Sequence, residues 1–391
     1  MPKILDLQTA EDSRDIVHRT VQALVEGQVV GVPTETTYTL AALALSTKGV
    51  EQLRMLANRE IEAATANNNS GPNHHWMELS IRSRDGACDF VGTASSTLRR
   101  LLRRCWPGPL TAMVQCPEPF SALSQLPVGV HDQVVDKDGY VSFRVVDHSV
   151  LDQIHRYLSG PLVLASFQPD EGTEIATVAA RMVEKYGDEL PLLLDDGPTR
   201  YGGVTTVVRV SGNRWELLRE GVIERAAMNQ FVKPVIAVVC TGNTCRSPMA
   251  ETLLREQLNK RTGCDDAVRV ISAGVAASSG SGASPQAVAV MGSRGLDLTG
   301  HSSRPLDESV VNVADLILTM TRGHRAAILA AWPDMHERVF TLRRDGGDIS
   351  DPVGMAVEVY EACADQINEE LGKWLDSFGE DFFPTEITSQ E

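Results

Sequence analysis

Aromatic residues are scarce in this 391-residue chain, at 5%. Positive charge is short too: 36 Lys and Arg face 52 Asp and Glu, a formal net charge of −16. The deficit is shared, with 22 against 29 up to residue 225 and 14 against 23 beyond it. A chain acidic throughout is repelled by phosphate backbones and anionic headgroups, which disfavours broad electrostatic binding to nucleic acid or membrane. No apolar run approaches the ~20 residues of a membrane span, and the N-terminus carries no signal-peptide core. The seven cysteines are odd in number and scattered, so a disulfide framework is not expected and a reducing, cytoplasmic setting is. One local exception to the acidity is Arg99, Arg100, Arg103 and Arg104 on an expected helix. That cluster reads either as a solvated face or as a nucleotide or RNA contact.

What is present is enough apolar residue, 42%, for ordinary cores, and enough length for two of them. Helical and strand patterns alternate along the whole chain, which implies α/β layering in both parts. The expected division is a first domain over 1–225, a short linker over 226–234 and a second domain over 235–391. In the second part, strands alternating with helices predict a doubly wound parallel sheet that binds ligand at its carboxyl edge.

The second domain begins with its most informative stretch. Val235–Cys240 is apolar and mostly β-branched, as suits a buried parallel strand. A short loop follows (Thr241, Gly242, Asn243, Thr244, Cys245), and then Arg246, Ser247 and Pro248 open an expected helix. Ser247 is placed to cap it and Pro248 to occupy its first position. Strand, tight loop and helix N-terminus make an anion cradle, because unpaired backbone N–H groups point at its centre.

Cys240 and Arg246 bracket this cradle, and their chemistry suggests phosphoryl transfer to sulfur. The thiolate is the attacking species, and amide N–H groups beside a guanidinium favour it. Arg246 offers a planar fork for two phosphoryl oxygens, which the point charge of a lysine does not. The loop amides would stabilise charge on the equatorial oxygens of the transition state. Ser247 can hydrogen-bond the sulfur. A proton donor for the leaving atom is still required, and Asp351, just before Pro352 in a loop beyond a strand, is the candidate. No metal or other cofactor is needed, and Cys-x4-Cys across a glycine turn is not a zinc spacing. Cys245 reads either as a packed small residue or as a partner for a reversible disulfide with Cys240.

Two resemblances follow from these and other motifs. Strand, Cys240-to-Ser247 loop and helix, with Ser272-Ala273-Gly274 and Asp351-Pro352 downstream, resemble the low-molecular-weight protein tyrosine phosphatases over residues 235–376. The resemblance implies Cys240 as nucleophile, Arg246 as phosphate ligand and Asp351 as acid, with Asn243, Ser247, Ser272 and His301 shaping the loop. The loop is similar to that of the protein-arginine phosphatase subgroup. Tyrosine-directed members carry a bulky apolar residue where Thr244 stands, and aromatics after the Asp-Pro where Val353 and Gly354 stand. A slot without aromatic walls gives a phenyl ring little to stack on. Phosphorylated protein is the implied substrate, with phosphoarginine and phosphotyrosine both open.

The first domain carries Pro33-Thr34-Glu35-Thr36-Thr37-Tyr38, Trp106-Pro107-Gly108-Pro109-Leu110-Thr111, Phe143-Arg144-Val145-Val146-Asp147-His148, Leu194-Asp195-Asp196-Gly197 and Val204-Thr205-Thr206-Val207-Val208 in that order. This resembles the YrdC/Sua5 family over roughly residues 10–225. Those are L-threonylcarbamoyladenylate synthases, which use threonine, bicarbonate and ATP in a tRNA modification. The family's Lys-x-Arg falls on Ala57-Asn58-Arg59, its Ser-x-Asn on Ser166-Phe167-Gln168, and its Tyr-Gly-Leu on Tyr38-Thr39-Leu40. The lysine and the asparagine are thus replaced, and alanine cannot supply the lysine's compact charge. The expectation is a domain degenerate at its catalytic motifs, with Thr34, Arg59, Arg144 and Ser166 as a vestigial nucleotide site. A working synthase and an RNA- or nucleotide-binding module are the alternatives.

Overall fold

Every residue of Val235–Cys240 is buried, and its side chains part alternately to two cores. Ile236, Val238 and Cys240 enter one apolar cluster, and Val235, Ala237 and Val239 the other. That is the period of two of a strand covered on both faces. Each buried aliphatic side chain here contributes roughly 2 kcal/mol.

The computed structural model describes residues 2–65, 76–116, 121–166, 175–264, 266–379 and 382–387. It divides into two compact units, Met1–Phe231 with Thr385–Glu391, and Val232–Pro384. The second unit is built on a four-stranded parallel sheet in the order Arg269–Gly274, Val235–Cys240, Leu316–Thr319, Val339–Thr341. Helices Arg246–Thr262, Pro285–Ser293 and Val357–Leu375 contribute to one core, and Glu308–Val313 and Arg322–Ala331 to the other. This is the doubly wound arrangement, with the Cys240 loop at the carboxyl edge.

The first helix of this unit ends where Gly263 turns left-handed at φ 65, after Lys260 and Arg261 in its last turn. Both features suit a helix C-terminus, the glycine sterically and the cations electrostatically. Its start corrects the expectation. The helix begins at Arg246, Cys245 stands at the cap position without a side-chain cap bond, and Ser247 faces inward instead of capping.

The first unit carries a mixed, eleven-stranded sheet among the described residues. Its middle runs Tyr38–Leu43, Leu162–Ser166, Trp76–Ser80, Tyr140–Arg144, Leu110–Gln115, Thr206–Ser211. Its helices include Ser13–Val25 and Ser149–Tyr157, which share one core with the sheet through Val17, Leu24, Leu151 and Ile154.

Two expected boundaries change. Most of the expected linker is the helix Arg225–Val232, as a stretch without Gly or Pro allows. Thr385–Glu386, expected with the second domain, is a strand parallel to Arg214–Arg219 and belongs to the first unit.

Candidate active site

The loop after Cys240 is held open by its own surroundings. The carbonyls of Cys240 and Thr241 accept from Val275 and Ala276 N–H, each at 3.0 Å, and Thr244 O accepts from Ser284 N–H at 2.8 Å. His301 Nε2 donates to Asn243 O at 2.7 Å. A trans peptide points its N–H opposite its carbonyl, so carbonyls drawn outward turn the intervening N–H groups toward the loop's centre. Gly274 makes this closeness feasible. A Cβ there would lie 2.4 Å from Thr241 O and 2.9 Å from Asn243 N.

Asn243 is the pivot. It is fully buried and adopts φ 54, a left-handed conformation that asparagine tolerates better than most residues. Its Oδ1 accepts from Arg304 N–H at 2.8 Å, which fixes which end of the amide is which. Its Nδ2 therefore donates to Ser247 Oγ at 2.9 Å. With that lone pair taken, Ser247 has its own O–H to give, and two acceptors lie in reach, Cys240 Sγ at 3.0 Å and the Ala273 carbonyl at 3.3 Å. Asn243 N–H adds a second donor to the sulfur at 3.3 Å. The buried sulfur thus sits where negative charge would be solvated by protein donors.

Arg246 is 4% exposed, with Nη1 on Ile349 O at 3.0 Å and Nη2 on Asp351 Oδ2 at 2.5 Å. Ile349 is fully buried and its N–H bonds Met320 O, so the chain just before Asp351 is anchored to the sheet. Cys240, Arg246 and Ser247 are brought together with Asn243 and His301, and Asp351 is joined to them through Arg246. Ser272 is not tied in: it lies on the neighbouring strand opposite Val238, and its buried hydroxyl has no hydrogen-bond partner. Thr244 is half-buried, with Oγ1 3.7 Å from Cys245 Sγ. Of the two readings of Cys245, a packed small residue or a reversible disulfide partner, the structure shows Cys240 and Cys245 as buried free thiols.

Three neighbours were not apparent in the sequence. Tyr360 OH lies 3.3 Å from Cys245 Sγ. Ser284 donates its N–H to Thr244 O and caps its own helix, its Oγ accepting from Ala287 N–H. His324 Nε2 lies 2.8 Å from Thr241 Oγ1, and its Nδ1 is buried without a partner. Burial, then Arg246, hold this imidazole below its usual range. The contacts of Tyr360 and His324 span 115 and 83 residues, so no local pattern announces them.

A family model described as "Low molecular weight phosphotyrosine protein phosphatase" matches residues 235–383, and one described as "Telomere recombination", of the Sua5/YciO/YrdC group, matches residues 22–221. This chain belongs to both families, one in each half. The phosphatase half is 40% identical over 140 residues to a protein-arginine-phosphatase of Bacillus subtilis (strain 168), covering 35% of this chain and 91% of that one. It is also 40% identical over 141 residues to the probable low-molecular-weight protein-tyrosine-phosphatase EpsP of Ralstonia solanacearum, covering 36% and 92%. Wzb of Escherichia coli (strain K12), a low-molecular-weight protein-tyrosine-phosphatase, is 33% identical over 141 residues, covering 36% and 91%. The second half is therefore a low-molecular-weight protein-tyrosine-phosphatase family enzyme.

The YrdC-like half is a different case. Arg144 is fully buried, with Nη2 on Glu35 at 2.9 Å and on Thr36 Oγ1 at 2.8 Å, and Nη1 on Glu78 at 3.3 Å. Burial alone would lower its pKa, but Glu35 and Glu78 outweigh burial and raise it. Two carboxylates of its own domain thus neutralise the guanidinium expected to greet a nucleotide. Thr34 Oγ1 is spent inside its own turn, donating to Thr37 O at 2.6 Å and accepting from Thr36 and Thr37 N–H. Thr39, where the family pattern has Gly, is buried and donates to Ala165 O at 2.6 Å. The side chains of Arg59 and Ser166 lie outside the described residues. A cavity of about 350 Å³ remains beside Thr34, lined also by Asp147, His148, Asp196 and Arg200. The basic run does not form a free stripe: Arg100 is buried, and Arg104 Nη1 donates to Phe231 O at 2.6 Å. Among the described residues no helix is long and apolar enough to cross a membrane, and no cluster of potential metal ligands is found.

Proposed function

We propose that Cys240, Arg246 and Asp351 carry out phosphoprotein hydrolysis through a cysteinyl-phosphate. Cys240 Sγ attacks phosphorus, forming an S–P bond as the bond to the leaving oxygen or nitrogen breaks. Asp351 gives its proton to that leaving atom. Water then attacks phosphorus, losing its proton to Asp351, and the S–P bond breaks to return the thiolate. Ser247 O–H stabilises the sulfur as it leaves, and the loop amides with Arg246 hold the three phosphoryl oxygens.

The observation that carries this reading is the chain Arg304 N–H to Asn243 to Ser247, which places a hydroxyl 3.0 Å from Cys240 Sγ and 3.3 Å from the Ala273 carbonyl, so that its one proton can turn to the sulfur when the sulfur carries charge. Cys240→Ser is expected to abolish hydrolysis of an aryl phosphate with the fold intact; turnover at the wild-type rate would sink the assignment.

For substrate, phosphoarginine is favoured over phosphotyrosine. Thr244 is polar, and Val353 and Gly354, beyond Asp351, are exposed and offer no ring to stack upon. The relatives do not separate the two substrates, being 40% identical whether named protein-arginine-phosphatase or probable protein-tyrosine-phosphatase, so the choice rests on these side chains. A comparison of kcat/KM on phosphoarginine and phosphotyrosine peptides, with Thr244→Ile alongside, tests it. A larger value for phosphotyrosine in the wild type would reverse it.

The YrdC-like domain is proposed to be non-catalytic. Ala57 and Gln168 stand at the expected lysine and asparagine, and the two terminal nitrogens of Arg144 are held by Glu35 and Glu78, leaving only its buried Nε without a partner. Pyrophosphate release by the full chain from ATP, threonine and bicarbonate would overturn this.

A further inference from the structure

Thr241 follows the nucleophile directly and is exposed at the rim of the loop, yet its hydroxyl is engaged by a mostly buried histidine from another element. Pairing an exposed hydroxyl with a buried imidazole leaves one ring nitrogen, Nδ1, without any partner. The proton must sit on one nitrogen or the other. A buried N–H with no acceptor is the rarer and costlier defect, because its donor is desolvated for nothing, whereas a bare ring nitrogen forgoes only an acceptor. The preferred tautomer therefore carries its proton on Nε2 and donates to Thr241 Oγ1.

The surroundings keep His324 neutral. Arg246 faces it from the helix that follows the loop, Asp351 and Asp348 face it from the acid loop, and Asp348 is itself tied to Arg322 on the histidine's own helix. His324 also lies in the first turn of that helix, capped by Thr321, where the helix's positive end disfavours a second positive charge.

We propose that His324 and Thr241 form a positioning pair that selects the leaving group, favouring a guanidino phosphoramidate over an aryl phosphate. With one lone pair of Oγ1 filled by His324, Thr241, exposed next to the nucleophile in sequence, keeps one lone pair and one O–H for a ligand. A phosphorylated guanidine places N–H donors next to a phosphoryl oxygen acceptor and satisfies both. A phenyl ring offers only C–H edges, and a hydroxyl stripped of water without a partner costs binding. This inference rests on the cysteinyl-phosphate reading and concerns only which leaving group the same site prefers.

The test uses the full chain and two peptides, one phosphorylated on arginine and one on tyrosine, read as the ratio of their kcat/KM values. Thr241→Val is expected to lower the arginine-to-tyrosine ratio about tenfold. His324→Leu is expected to do the same, with no further fall in the double variant, and His324→Gln, which keeps an N–H near the same place, should restore most of it. An unchanged ratio in Thr241→Val overturns the proposal even if His324→Leu fails to fold. Losses that multiply in the double variant, or a glutamine that behaves like leucine, overturn it as well. A wild-type protein active on phosphotyrosine but not on phosphoarginine overturns it while leaving the nucleophile's assignment standing. That assignment falls only if Cys240→Ser retains turnover.

Discussion

Arg246 Nη2 lies 2.5 Å from Asp351 Oδ2, so the cation assigned to grip phosphate and the carboxyl assigned to protonate the leaving group are bound to each other. Asp351 is 43% exposed, and a pair open to water on one side is worth about 1 kcal/mol or less. An arriving phosphoryl dianion competes with Asp351 for the same guanidinium and is repelled by its charge. Asp351→Asn removes that competitor along with the proton donor. Inorganic phosphate should then inhibit up to about fivefold more tightly, the equivalent of about 1 kcal/mol, at low salt. Turnover of aryl phosphates with poor leaving groups should fall about 100- to 1,000-fold, and of those with good leaving groups much less. Weaker phosphate inhibition in the variant would contradict the competition.

The loop's shape is a separate prediction, because Asn243 supplies both a left-handed backbone and a buried amide. Asn243→Ala costs about 1 kcal/mol for φ 54 and about 1–2 kcal/mol for the Arg304 N–H left without its acceptor. Calorimetry should place the melting of the second unit about 5–10 °C lower. Asn243→Gly should recover the backbone share alone. Equal losses for alanine and glycine would show that backbone conformation contributes nothing.

How much of this was legible follows from where the partners lie in sequence. Cys240 to Ser247 is one contiguous segment between a strand and a helix, so the cradle, the nucleophile and the arginine could be read directly. Asp351 was marked by the proline after it and the strand before it. Ser247 was misread as a cap because a serine ahead of a proline-led helix fits that role, whereas Asn243 and Cys240 claim its oxygen only in three dimensions. Glycine would ordinarily be assigned the left-handed turn, yet Asn243 takes it and Gly242 does not. Glu78 and Arg144 are 66 residues apart and meet on adjacent parallel strands, so the neutralised arginine had no local signature. The strand Thr385–Glu386 is two residues long, too short for any periodicity.

Arg144 offers a third prediction, for the first unit. Removing one partner of a buried ion cluster leaves uncompensated charge, so Arg144→Met should destabilise this unit by about 3–5 kcal/mol in urea titrations. Adding Glu35→Gln and Glu78→Gln should recover most of that loss. If the triple variant is no more stable than the single one, the penalty comes from lost packing and not from charge.

The same unit should also lose stability in mild acid through His155. That side chain is 7% exposed, with Nε2 3.0 Å from Ser80 Oγ, and burial pushes its pKa down from 6.5 to about 4. Asp152 pulls weakly the other way and Arg82 adds to the depression. With the folded value below the unfolded one, the unfolded chain takes up the proton first as pH falls. Stability from this group is therefore complete above about pH 6.5, declines between pH 6.5 and about 4, and levels off below. The full difference is on the order of 3 kcal/mol. His155→Gln keeps a hydrogen bond to Ser80 and cannot titrate, so its urea midpoint should vary less between pH 7 and pH 4.5 than the wild type's. Parallel pH profiles for the two proteins would show that His155 is not the group responsible.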